Sequence, residues 1–159
     1  ESVITGKIAK YCASYLKANA PNLKVYMTRS SNVYVGLDER VEYAQQKGAD
    51  LLVSMHINDA GQASSANGCM VLVSKGTYRE YLAKKEAAFT NFVLEELHAL
   101  GLNNATGSTN GFYYRMTTIG EKYPNGGLSD YYTIIVDSVY ADIPGVMDLR
   151  QRSQKEMRR

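Results

Sequence analysis

The chain has 159 residues, 45% apolar and 21% charged, with a net charge of +2. That length suits one domain with a core of useful size, and no apolar run approaches the roughly 18 residues a membrane-spanning helix needs. Cys12 and Cys69 are too few and too far apart for a disulfide framework or a zinc knuckle, so both are expected as small buried apolar residues.

Residues 2 to 19 are predicted as a helix, with Ile4, Ile8, Tyr11, Cys12, Tyr15 and Leu16 on one inward stripe. Asn19-Ala20-Pro21-Asn22 stops it. Leu23 to Met27 reads as a short alternating strand, and Thr28 to Gly36 as a polar loop. A second helix runs through Leu37, Val41 and Ala44, with Asp38 and Glu39 in its first turn, where carboxylates suit the helix dipole. Gly48 ends it. Ala49 to Met55 is a buried strand. Ala60 to Asn67 is rich in Ala, Ser and Gly and reads as a flexible loop.

Gly68 to Ser74 is a further strand. Tyr78 to Leu100 is a long helix with Leu82, Phe89, Phe92, Val93, Leu97 and Leu100 inward and Gly101 just past its end. His98 sits in the last turn and reads as a surface residue. Residues 102 to 129 form a long loop, of the kind that is usually functional or disordered. Phe112-Tyr113-Tyr114 marks a short ordered piece within it. Ser129 is expected to cap a helix through Tyr131, Ile134, Ile135 and Val139. Ile143 to Met147 then turns into a final buried strand. The tail from Asp148 to Arg159 carries +3, which leaves about −1 on the body. No aromatic residue is interleaved with those charges to stack on bases, so no nucleic-acid partner is expected. Alternating strands and helices with short links make the fold class α/β, a mostly parallel (mixed) sheet with helices on both faces in a single domain.

The stretch most suggestive of chemistry is Leu51-Leu52-Val53-Ser54-Met55-His56-Ile57-Asn58. An apolar run ends in a serine, a histidine and an asparagine. Such a strand puts an imidazole at the rim of a sheet, where α/β folds bind ligands. On spacing alone His56 is either a structural histidine or a metal ligand.

Three blocks in order resemble the zinc-dependent N-acetylmuramoyl-L-alanine amidases that trim bacterial peptidoglycan. Val25-Tyr26-Met27-Thr28-Arg29, followed by Leu37, Arg40 and Ala44, is similar to that family's "V-x-x-T-R … L-x-x-R … A". Ala49-Asp50 through Ser54, His56 and Asn58 is similar to its "A-D-x-x-x-S-x-H-x-N". Ser129 to Ile135, running to Ile143-Pro144-Gly145-Val146, is similar to the approach to its last strand. The resemblance implies one zinc held by two histidines and a glutamate, with an open position for water, and a second glutamate that moves a proton. It implies His56 and Glu1 as zinc ligands, Asn58 as a polar supporting residue, and peptidoglycan as the partner. Tyr113, Tyr114 and Tyr123 are candidates for a substrate wall. Arg29 and Arg40 are expected to tie down loop groups. Without the resemblance, Glu1 reads as an acid favoured at a helix start.

Two departures stand out. The family's first histidine precedes the position of Glu1, so the chain is expected to be an N-terminally truncated amidase-like domain, residues 1–147, followed by a basic polar tail, residues 148–159. The family's catalytic glutamate falls where this chain has Leu149, so no catalytic residue is assigned. Asp148 is one position away and would face the other side of a continuing strand. Two functions are therefore expected to compete. One is zinc-dependent hydrolysis of the bond between N-acetylmuramic acid and L-alanine, outside the cytoplasm. The other is a non-catalytic peptidoglycan-binding remnant.

Overall fold

A computed structural model describes residues 2–59 and 68–152 of the chain. Expectations for Glu1, for the loop at 60–67 and for the tail beyond Arg152 lie outside the described residues. In chain order the elements are α1 (Ser2–Asn19), α2 (Leu37–Gln46), β1 (Leu52–Asp59) and β2 (Gly68–Leu72). They continue with α3 (Glu80–Ala99), β3 (Phe112–Tyr113), α4 (Thr133–Tyr140) and β4 (Gly145–Arg152). The sheet order is β1-β4-β2-β3. β4 runs parallel to β1 and antiparallel to β2, and β3 runs parallel to β2. This is the expected mixed sheet, and no described helix is long and apolar enough to cross a membrane.

Both faces are covered. Val41 and Ala44 of α2 and Ile134 and Ile135 of α4 pack on Leu52, Met70, Leu72 and Met147. On the other face Leu94 and Leu97 of α3 pack on Cys69, Val71 and Val146. Each such aliphatic side chain contributes about 1.5–3 kcal/mol when fully buried. α4 reaches β4 closely because residue 145 is glycine: a Cβ there would stand 2.5 Å from the Ser138 hydroxyl. Arg40 ties the 28–36 loop to α2 as expected, its Nε and Nη2 donating to the Val35 carbonyl at 3.1 and 3.0 Å.

Several expectations are corrected. In α1 the buried residues are Thr5 and Ala13, with Cys12 and Leu16 half-buried, whereas Ile4, Tyr11 and Tyr15 are exposed. The tyrosines imitate an apolar stripe, but small residues are what lie against β1. Leu23–Met27 is extended in pattern, yet no described strand pairs with it. β1 starts at Leu52, later than expected, because the Ala49 amide donates to the Ala44 carbonyl at 3.0 Å and finishes α2. β1 also runs past His56 to Asp59. In α3 the inward stripe is Leu82, Glu86, Thr90, Leu94 and Leu97, and Phe92 and Leu100 are exposed. α4 starts at Thr133, not after Ser129, because the backbone there pairs with the preceding loop. The Thr117 amide donates to the Ser129 carbonyl and the Tyr131 amide to the Arg115 carbonyl, at 2.9 and 2.8 Å. β4 continues to Arg152, so residues 148–152 belong to the sheet and not to a tail.

Two buried carboxylates join these elements. Glu86 of α3 is fully buried. Its Oε2 accepts from the Ser74 amide at 2.8 Å and the Ser74 hydroxyl at 2.7 Å, and its Oε1 from the Gly145 amide at 3.2 Å. Asp130 accepts from the next amide, Lys75, at 2.9 Å, and from the Tyr123 hydroxyl at 2.8 Å. Burial pushes both carboxyls above their usual range, and the donated hydrogen bonds pull them partly back.

Glu86→Ala is expected to leave the Ser74 and Gly145 amides without an acceptor, at about 1–3 kcal/mol for each buried donor. A lower urea midpoint measures it. Because the folded chain holds the Glu86 proton more tightly, this group's contribution is full below its ordinary 4.5 and is lost as pH rises through the raised value. Glu86→Gln does not titrate, so its stability relative to the native chain should improve as pH rises above the ordinary 4.5. Thermal melts at stepped pH that show a constant difference would contradict the raised carboxyl.

Candidate functional site

The site is built on β1. Strand alternation puts Ser54 and His56 on one face, and the Ser54 hydroxyl lies 2.9 Å from His56 Nε2. The pairing register sets Ser54 opposite Met147 and His56 opposite Leu149. Met147 and Leu149 pack with the core under α2 and α4. His56 is therefore half-buried toward the C-terminal end of β1, on the α2 and α4 face. Its cross-strand neighbour, about 4.8 Å away along the hydrogen-bonding direction, is the leucine at the position where the family resemblance places a glutamate.

Asp148 does not substitute for it. It pairs opposite Met55 and Val71 and so faces the α3 side of the sheet. There it is 8% exposed, with Oδ2 3.5 Å from Arg150 Nε. Its Oδ1 is buried without a hydrogen-bond partner among the described residues. Burial pushes this carboxyl up, while Arg150 and, more weakly, His56 hold it down. The carboxyl is thus on the face of the sheet opposite His56.

Of the other sequence-derived candidates, the tyrosines lie away from β1. Glu1 lies outside the described residues. Asn58 pairs through its backbone with Gln151 on β4, and its side chain lies outside the description. Tyr113 pairs with Leu72 at the opposite edge of the sheet, separated from β1 by β4 and β2, roughly 14 Å at the usual strand spacing. It packs on the same core layer as Leu149. The Tyr114 ring stacks on Phe112 at 6.3 Å, with the Lys75 ammonium 4.8 Å from its centroid. Phe112 packs with the α3 cluster, so Tyr113 and Tyr114 face opposite ways. Tyr123 is buried and donates to Asp130, which makes it an internal tie. His98 is an exposed residue, 2.8 Å from the Asn104 side-chain oxygen. Sequence reading missed the buried pair Glu86 and Asp130. It also missed Arg115, whose guanidinium lies 3.7 Å over the Tyr131 ring. No local pattern announces an acid that serves distant backbone amides.

Zinc takes imidazole, thiolate or carboxylate donors, three from the protein in a hydrolytic centre. Among the described residues no three such side chains come together. Among the described residues, the His56 imidazole stands beside the Ser54 hydroxyl and Leu149. It fits the position of a single ligand and does not by itself make a metal centre.

Residues 1–121 match the sequence profile of N-acetylmuramoyl-L-alanine amidase. Over 92 residues the chain is 34% identical to N-acetylmuramoyl-L-alanine amidase AmiC of Escherichia coli O6:H1, a match covering 55% of this chain and 22% of that protein. The N-acetylmuramyl-L-alanine amidase Ami1 of Mycobacterium smegmatis superposes with a TM-score of 0.64 at 17% identity, over 96% of this chain and 64% of that one. The apo form of Ami1 from Mycobacterium abscessus gives 0.66 at 21%, over 97% and 66%. The catalytic domain of CwlV from Bacillus (Paenibacillus) polymyxa var. colistinus gives 0.60 at 23%, over 92% and 64%. The chain thus spans less than two thirds of each of these relatives. At such identities the superpositions speak for the fold, a mixed sheet between helices. The profile match takes in both the Thr-Arg block and the strand bearing His56, and it ends before β4. The chain belongs to the N-acetylmuramoyl-L-alanine amidase family.

Proposed function

We propose that this chain is part of an enzyme that hydrolyses the amide between the lactyl group of N-acetylmuramic acid and the first L-alanine of the peptidoglycan stem. The observation that carries this reading is His56, half-buried toward the end of β1 within the family match. Its polymer substrate places the protein outside the cytoplasm, in the periplasm or at the cell wall. His56 and Glu1 would hold one zinc ion together with a further ligand, and Asn58 would support them. When bound, such a zinc ion would supply an acidic water and a Lewis acid for the amide carbonyl.

A second reading has its own observation. Leu149 occupies the place beside His56, and Asp148 faces away from it. An alkyl side chain cannot carry the attacking water's proton to the leaving amine. On this reading the chain binds peptidoglycan without cutting it.

His56→Ala should lower zinc content, and added zinc should no longer raise its melting temperature. Unchanged zinc content would show His56 to be structural. Leu149→Glu restores a carboxylate next to the imidazole, and if proton transfer limits the native chain it should raise dye release from labelled sacculi by about 100-fold or more. Melting curves check that this variant folds. Zinc bound by both proteins with release from neither would remove the enzymatic reading and leave the binding one.

A further inference from the structure

The first quarter of the chain is one-signed. Between Ser2 and Leu37 there are five basic residues, Lys7, Lys10, Lys17, Lys24 and Arg29, and no acidic one. Of the net +2, this segment contributes +5, which leaves −3 on the remainder. α1 concentrates the charge. Its inward side is Thr5, Cys12, Ala13 and Leu16, laid along β1. At 100° per residue Lys7, Tyr11 and Ser14 then point away from the sheet, with Lys10 and Lys17 beside them. Lys7, Lys10, Tyr11 and Ser14 line one shallow surface hollow. Tyr11 is 77% exposed, Tyr15 67%, and Tyr34 in the following loop 92%. Arg29 Nη2 lies 3.5 Å from the Thr5 hydroxyl, so the segment after α1 stays beside it.

This face is unsuited to a small anion, since the hollow is open and no buried polar group points into it. It is poorly suited to lying in a membrane, because the exposed large aliphatic side chains of α1 are Val3 and Ile4, both in its first turn. Lysines along one flank of a helix, beside rings with polar tips along its centre and other flank, match a polymer that carries carboxylates next to sugar faces.

We propose that the outward face of α1 is a second docking surface for peptidoglycan, apart from His56. Lys7, Lys10 and Lys17 hold stem-peptide carboxylates, and Tyr11 and Tyr15 lie against sugar rings. The choice of polymer rests on the amidase reading, but docking needs no catalysis. Several weak contacts along one strand add up to useful retention.

Co-sedimentation with purified sacculi tests this. The double variant Lys7→Glu/Lys10→Glu should lose binding on the order of 10-fold at low salt, and its binding should become less salt-dependent. Capping the sacculus carboxylates as amides should weaken the native chain by a similar factor and add little to the loss in the double variant. Tyr11→Ala should weaken binding mainly at high salt, where charge is screened. The proposal is overturned if the double variant sediments like the native chain, if capped sacculi bind equally well, or if the native chain does not sediment. It is also overturned if phosphatidylglycerol vesicles are bound in preference to sacculi. Absent dye release by the native chain, with its sedimentation intact, would count against the catalytic reading alone.

Discussion

Glu86 joins three elements through one carboxylate. It stands on α3, receives both donors of Ser74 just beyond β2, and receives the first amide of β4 at Gly145. That last bond holds the first residue of β4 against α3. Where β4 begins decides its register against β1, and the register decides which residue stands beside His56. Gly145 assists by letting α4 approach without a clash at Ser138. Because strand side chains alternate, a one-residue slip would exchange Leu149 for a residue of the opposite face. The composition of the candidate site thus follows from the register of β4 between β1 and β2.

The broad design was legible in the sequence. Alternating strands and helices, Gly48 and Gly101 past helix ends, and the apolar run leading to His56 each follow from local chemistry, and the structure has them. What was hidden is mostly a matter of partners. The stripe that α3 buries contains Glu86 and Thr90, so a reading by hydropathy rotates the helix toward Phe92, which is exposed. In α1 the buried side is made of small residues, while the tyrosines that look apolar face outward. Val25 and Met27 alternate as a strand should, but a ladder needs a neighbour and none of the described strands supplies one. Ser129 has the chemistry of a helix cap, yet its carbonyl is engaged by Thr117.

The candidate site was legible at one residue and not as a constellation. His56 can be found because the apolar run, the serine two before it and the family blocks converge on it. Tyr113 and Tyr114 are adjacent in sequence and therefore on opposite faces, and both lie at the far edge of the sheet from β1. Asp148 has the right chemistry one position from the right place. In a β-strand that is the difference between two sides of a sheet. Family resemblance assigns positions, while the register assigns company, and here the two together put a hydrocarbon next to the imidazole.

The strand order has a consequence for how the chain reaches this state. β4 is the last described strand to be synthesised, yet it occupies the interior of the sheet, between β1 and β2. Until it arrives, β1 and β2 have no described strand to join them, and their polar edges stay open. Residues 60–144, with β2, α3, β3 and α4 among them, separate β1 from its neighbour, so the entropy of closing that long loop comes before the pairing rewards it. Sheets built from long-range pairings fold more slowly than those built from local contacts, and this one is complete only when the stretch beginning at Gly145 takes its place between β1 and β2.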